Sequence, residues 1–233
     1  MMGTILNFFT IIIGSIIGLF FGAKLSDNLK NTIISGLGLF TTAVGIQMFL
    51  KTGNPLIDLG ALVLGGLVGE LINIESAIKR FGVILEERFA GTSTGTNSNF
   101  VRGFLSSSVL FCTGPMAVLG SISDGLKGDY LTLSIKSIMD GIIAIAFTST
   151  LGVGVAFSAL PVFVYQGGIS LLASQLNSII TASMMNEMTA TGGVLLMGIG
   201  ISSLLEIKKI SVGNFLPALI FAPLIAFIVE KFS

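Results

Sequence analysis

"MMGTILNFFTIIIGSIIGLFFG", Met1 to Gly22, carries no charged residue in 22 positions. A membrane-spanning helix needs about 20 consecutive apolar residues, and this run supplies them. Its flanks separate a retained span from a cleaved secretory signal. A signal peptide sets basic residues before its apolar core and a small-residue cleavage site after it. No Lys or Arg precedes this run, so it reads as a helix that stays in the chain.

The rest of the composition agrees. Hydrophobic residues make up 52%, charged residues only 10%, and mean hydropathy is +0.97. A soluble domain carries about 25% charged residues, so this chain is too poor in charge to wet a whole surface. The apolar runs do not alternate as barrel strands would. The reading is an all-α, polytopic transmembrane bundle of seven or eight spans. Lys+Arg and Asp+Glu balance at 12 each, so nothing points to nucleic acid. With no His and the single thiol of Cys112, a zinc or haem site lacks its ligand set. No cofactor and no metal are expected.

Candidate spans are 4–23, 32–50, 56–74, 102–122, 138–160, 190–206 and 212–230. The apolar stretch 162–189 is interrupted by Gln166-Gly167-Gly168 and Gln175, and reads either as a further span or as a re-entrant or broken segment. One integral membrane domain, 1–233, is expected. It has three spans in 1–74, a surface segment in 75–101 and the remaining spans in 102–233. Within the surface segment, Ile78, Phe81, Ile84 and Leu85 recur at helical spacing between charges, as in an amphipathic helix lying on a membrane. "GTSTGTNSN" (91–99) then reads as a flexible polar loop.

Basic residues in short loops favour the cytoplasmic side. Placing Lys24 and Lys30, and Lys79, Arg80, Arg88 and Arg102, inside leaves the N-terminus and the Lys51 and Asp58 loop outside. Eight crossings then put Lys208 and Lys209 inside as well; seven would put them outside. Two related halves are also indicated. "FTIIIG" (9–14) resembles "FTSTLG" (147–152), and "GLFTTAVGI" (38–46) resembles "GVLLMGIGI" (193–201), in the same order. Duplicated halves are a common transporter plan.

Glycines inside the runs, such as Gly14 and Gly18, Gly65 and Gly69, and Gly193, Gly198 and Gly200, allow close helix packing, within the chain or between copies. The Gly114-Pro115 pair is more specific. Proline in mid-span removes a donor and clashes with the preceding turn, so the helix kinks or breaks after Thr113. Ser106, Ser107, Ser108 and Thr113 are placed to satisfy the freed backbone. A break at membrane depth is tolerated where protein or a water-filled cavity surrounds it. Its exposed amides and carbonyls are then candidates to bind an ion or small solute.

Ionisable and amide residues complete the candidate pathway. Asp140 opens the fifth run, with Lys136 four residues earlier on the same helix face. Thr148, Ser149 and Thr150 form a hydroxyl patch two to three turns deeper. Gln166, beside Gly167-Gly168, marks a break or tight turn. Glu187 and Asn186 precede "TATGG" (189–193), and two readings of Glu187 stand. It sits near a helix start at the interface, capped by Thr189 or Thr191, or it faces a cavity as a proton or cation carrier. Glu70, at the end of the third run, is a counterpart.

"LFCTGPMAVLGSISDGLKGDY" (110–130), "KSIMDGIIAIAFTSTLGVGVAFSA" (136–159), "VYQGGISLLA" (164–173) and "NEMTATGGVLLMGIGISSLLEIKKISVGNFLPALIFAPLI" (186–225) resemble one bacterial family. It is the inner-membrane family designated domain of unknown function 554, the YqgA/YdfK-like proteins. "GTILNFFTIIIGSIIG" (3–18) resembles the family's start. The resemblance implies a multi-pass protein of the bacterial cytoplasmic (inner) membrane, and no site residue is carried over from it. The function expected is a small-solute or ion transporter or channel with a mid-membrane site at the broken helix. The alternative is a membrane interaction or regulatory protein. A membrane-embedded enzyme ranks behind both, for want of any acid–base motif.

Overall fold

The computed structural model describes residues 1–90 and 99–232 of the chain. Its regular structure is helical throughout: α1 (Met2–Gly22), α2 (Asp27–Phe49), α3 (Pro55–Ile72), α4 (Ile74–Ala90), α5 (Asn99–Cys112), α6 (Pro115–Lys127) and α7 (Leu131–Leu151). There follow α8 (Gly154–Phe157), α9 (Ala159–Leu171), α10 (Ala173–Asn177), α11 (Ala182–Ile199) and α12 (Ala218–Phe232). A π-turn, Gly200–Leu204, extends α11, and a 3-10 turn, Val212–Phe215, leads towards α12.

Among the described residues, seven helical stretches are long and apolar enough to cross a membrane: Met2–Gly22, Asn28–Phe49, Pro55–Ile72, Leu131–Leu151, Gly154–Leu171, Ala182–Leu204 and Val212–Lys231. An eighth candidate is the pair α5–α6, bent by 61°. The bend lies where Gly114-Pro115 predicts it. Gly114 has φ 111, a conformation that favours glycine, and Pro115 opens α6 at its first position. Outward-facing side chains are large and apolar, with Phe20 73% and Leu71 82% exposed, so lipid rather than water suits that surface.

Two boundaries differ from expectation. The run 138–160 is not one helix: α7 ends at Leu151 and Gly152, at φ 80, turns the chain. The ambiguous 162–189 stretch divides between α9, α10 and the first turns of α11. Gln166-Gly167-Gly168 does not break its helix, because the backbone ladder of α9 runs through it, as far as Leu172 N–H on Gly168 O at 3.1 Å. Glycine permits unusual angles but does not impose them. The amphipathic segment is α4, on which Phe81 and Ile84 stay exposed. The loop expected over 91–99 falls on 91–98, outside the described residues; Asn99 already belongs to α5.

Packing divides the chain into two compact units, Met1–Leu37 with Phe81–Ile179, and Gly38–Arg80 with Ile180–Ser233. In the first unit α1 packs along α7. A Cβ on Gly14 would collide with the Gly141 carbonyl, one on Gly18 would come 2.5 Å from Ile145 O, and one on Gly22 2.5 Å from Ser149 O. Both sets of numbers ascend together, so the two helices are parallel. In the second unit α3 packs on α12, with Gly60 opposite Ile225 and Gly65 opposite Ala218. Ala61, Ala218 and Ala222 form a small-residue core there. The second half of α2 meets α11 through Gly45 and Gly193, each 2.5 Å from the other's carbonyl oxygen when a Cβ is built, and Gly38 O lies by Gly200. Both of these pairs are antiparallel.

By length and composition the described residues hold seven candidate spans, and an eighth where the bent pair α5–α6 is taken as one. Helix α4 carries too many charges to cross.

Candidate functional site

Each unit buries one polar cluster among its spanning helices. In the first, Asp140 lies near the middle of α7, and Lys136 one turn earlier donates to Asp140 Oδ2. Helix α7 starts at Leu131, so Asp140 lies inside a helix that begins nine residues before it. A lone carboxylate at mid-membrane costs about 2.5–3.5 kcal/mol on insertion scales; an i,i+4 lysine offsets such a cost. Across from α7, Asn7 of α1 donates from Nδ2 to Asp140 Oδ2 at 2.9 Å and to Gln166 Oε1 of α9 at 3.3 Å. Asn7 and Gln166 are fully buried, yet Asn7 Oδ1 and Gln166 Nε2 have no protein partner.

The broken span adjoins this cluster. Lys136 Nζ lies 5.9 Å from the ring centroid of Phe111, in the last turn of α5, so the cation meets the aromatic face of the residue just before the break. Thr113 Oγ1 donates back to Val109 O at 2.8 Å and reaches Leu110 O at 3.3 Å. Ser107 and Ser108 donate to Gly103 O and Phe104 O, a turn before the break, and Ser106 Oγ has no partner. Only Thr113 therefore serves the break itself. A Cβ on Gly114 would meet nothing within 4 Å, so the backbone at the bend is uncrowded.

Further unpaired hydroxyls extend the polar file. Thr4, Asn7 and Ser15 share the buried face of α1, and Thr4 Oγ1 and Ser15 Oγ have no partner. On α7, Thr148 Oγ1 is likewise buried and unpaired. It lines a cavity of about 370 Å³ with Lys30, Asn99 and Gly152 at the C-terminal ends of α1 and α7. Buried polar groups are paired in the great majority of proteins, and unpaired ones call for a functional explanation.

In the second unit the centre is Glu187, inside α11 and 1% exposed. The helix begins earlier than expected, at Ala182, and its cap is Thr181, whose side chain accepts from Met184 N. Thr189 and Thr191 are not caps: Thr189 donates to Met185 O at 2.7 Å, and Thr191 to Asp58 Oδ1 at 2.6 Å. Glu187 Oε2 accepts from Thr52 Oγ1 at 2.6 Å, and Oε1 from the amides of Gly53 and Asn54 at 2.8 and 3.2 Å. Those amides belong to the turn before α3, where Asn54 caps the helix and Pro55 opens it. Asn186, next in sequence, points the other way and is exposed.

The candidates thus separate. Asp140, Gln166, Thr113, Gly114 and Pro115 fall in the first unit, Glu187 and Asn186 in the second. Glu70 is no counterpart of Glu187, because it binds Asn214 Nδ2 at 2.5 Å at the opposite end of α3. Asn7 and Asp58 escaped the sequence reading. Asn7 was visible as the one amide in an otherwise apolar run. Asp58 was grouped with the loop at Lys51, but α3 starts at Pro55 and takes it inside the first turn, 1% exposed. Among the described residues no three His, Cys, Asp or Glu side chains gather as a metal site would require.

Spanning helices that hide ionised and amide groups from lipid and turn large apolar side chains outward define a multi-pass α-helical membrane protein. The comparisons with known proteins narrow this class. The chain belongs to the family described as "Protein of unknown function (DUF554)", whose profile matches residues 2–227. It is similar to the "Uncharacterized membrane protein YdfK" of Bacillus subtilis (strain 168), with 34% identity over 237 aligned positions covering 100% of this chain and 99% of that protein. It is also similar to the "Uncharacterized protein YqgA" of Escherichia coli (strain K12), with 28% identity over 221 positions and 94% of each covered. No solved structure gives a significant match.

Proposed function

We propose that the chain is a transporter or channel for a small solute or ion in the bacterial inner membrane. Its site would be the cluster of Asn7, Lys136, Asp140 and Gln166 beside the broken span. The observation that carries this reading is the pair of unpaired amide atoms, Asn7 Oδ1 and Gln166 Nε2, fully buried next to the Lys136–Asp140 pair. One is an acceptor and the other a donor, and the ion pair beside them is neutral overall. Such a set binds a small species that both donates and accepts, and it costs too much in lipid to keep for packing alone. The polar file through Thr4, Ser15 and Thr148 supplies a route along α1 and α7, ending at the cavity with Lys30. The parallel packing of α1 on α7 supports counting the bent pair as an eighth span, and with eight spans the basic residues Lys24 and Lys30 favour the cytoplasmic side for that cavity.

The test is flux into proteoliposomes holding the purified chain, assayed for protons, alkali cations, small anions and neutral solutes. Asp140→Asn and Gln166→Leu are the comparison variants. The wild type is expected to pass one of these classes and both variants to lose at least tenfold of that rate. Absence of flux in every class, or rates unchanged in both folded variants, would overturn the proposal.

A further inference from the structure

We propose that Asp58 and Glu187 form a second site, for a single monovalent cation, either a proton or an alkali ion. The site lies wholly within the second unit, and its argument does not depend on the solute cluster around Asp140.

The placement follows from two helix starts. Glu187 and Thr191 stand one turn apart on the same face of α11. Asn54 caps α3, and Asp58 lies one turn further along it. Glu187 binds the turn at Thr52–Asn54 while Thr191 binds Asp58, so one network between the start of α3 and α11 holds both carboxyl groups. Each residue is 1% exposed.

Charge around the pair is one-sided. Helices α11 and α12 and the 3-10 turn pack on α3. Glu187 is the one charged residue of α11, and the 3-10 turn has none. On α12, Lys231 is exposed, and Glu230 accepts from Thr181 Oγ1 at 3.0 Å. The Gly38–Phe49 part of α2 carries no charge, and Lys51 in the following turn is exposed. Glu70 and Glu75 engage Asn214 and Gly213 at the far end of α3. Among the described ion pairs none includes Asp58 or Glu187.

A second observation points to the ligand itself. The donors on Glu187 are Thr52 and two backbone amides, and Thr191 serves Asp58 Oδ1. Asp58 Oδ2 is buried with no donor at all. Two carboxylates buried in one network, with no cation beside them, repel strongly, and a positive partner relieves that repulsion. A proton bridging Asp58 Oδ2 to Glu187 satisfies the orphan oxygen. So does an alkali ion held by both carboxylates with the hydroxyl oxygens of Thr52 and Thr191. A divalent site of the usual kind is not indicated, since among the described residues no third His, Cys, Asp or Glu joins the pair.

Binding is read on the full-length chain in detergent, without any flux measurement. Thermal unfolding is followed with NaCl, KCl or choline chloride at constant ionic strength, and the infrared band of a protonated carboxyl is recorded in parallel. An alkali ion predicts an upward shift in Tm over choline that disappears in Asp58→Asn. A proton predicts no alkali-dependent shift, and a buried protonated-carboxyl band in the wild type that disappears in Asp58→Asn. Glu187→Gln, which keeps an acceptor for Gly53 and Asn54, repeats each loss if Asp58→Asn does not fold. Asp140→Asn leaves whichever signal is present. A wild type with neither signal, or variants at both positions that retain it, overturns the site. Loss of the transport reading would leave this outcome unchanged.

Discussion

Asn7 Nδ2 meets Asp140 Oδ2 at 2.9 Å across 133 positions of sequence, and the same amide hydrogen-bonds Gln166. One side chain thereby ties α1, α7 and α9 together at the level of the Lys136–Asp140 pair. Asp140→Leu leaves Lys136 buried without its partner, a change worth about 3–5 kcal/mol. Lys136→Met with Asp140→Leu is expected to recover most of that stability, because no charge is then stranded. Thermal unfolding in detergent reads both effects, and proteoliposome flux reads whether the pair is needed for transport. A double variant that folds and still transports would make the ion pair structural only.

With the bent pair counted as an eighth span, both ends of the described chain would lie on one side. Single cysteines at Met2 and Lys231, in a background with Cys112→Ser, are expected to share accessibility to a membrane-impermeant thiol reagent in right-side-out vesicles. A cysteine at Lys208 should show the opposite behaviour. Opposite labelling of the two ends would restore seven crossings and make α5–α6 re-entrant.

The close approach of α1 and α7 rests on glycine. Gly14→Ala drives a Cβ into the Gly141 carbonyl, whereas a Cβ on Gly168 meets nothing within 4 Å. Gly14→Ala is expected to lose about 1–3 kcal/mol from overpacking. Gly168→Ala should be neutral or gain up to about 1 kcal/mol from helix propensity. Unfolding temperatures of the two variants, compared in one detergent, check the contrast.

Glu187 also closes the turn between α2 and α3. Glu187→Ala strips the acceptor from the Gly53 and Asn54 amides and from Thr52, with an expected loss of about 1–3 kcal/mol per stranded donor. Glu187→Gln keeps one oxygen and should lose less than half as much. Equal losses in the two variants, measured by thermal unfolding, would mean that the loop finds acceptors elsewhere.

Much of this architecture is legible in single residues. The uncharged run from Met1 to Gly22 announces a span, Gly114-Pro115 a broken one, and Lys136 with Asp140 an i,i+4 pair. Helical periodicity and backbone chemistry are local, so the chain states them outright. Glu187 was less legible: a carboxylate before "TATGG" reads equally as a helix start or a buried site. Thr181, five positions before Asn186, is the cap that moves Glu187 into the helix body. Hydroxyl caps are common in these runs, and the one in use depends on where the preceding chain arrives.

By itself, the sequence determined the class of protein, the identity of most spans and the place of the break, because hydropathy and proline act over one turn or one span. Tertiary structure decided which polar side chains meet. Asn7 with Gln166 and Asp58 with Glu187 are more than 100 residues apart, and no local pattern encodes a contact at that separation. It also decided the angle of the break, 61° between α5 and α6, because proline marks where a helix breaks but not the direction in which the chain leaves.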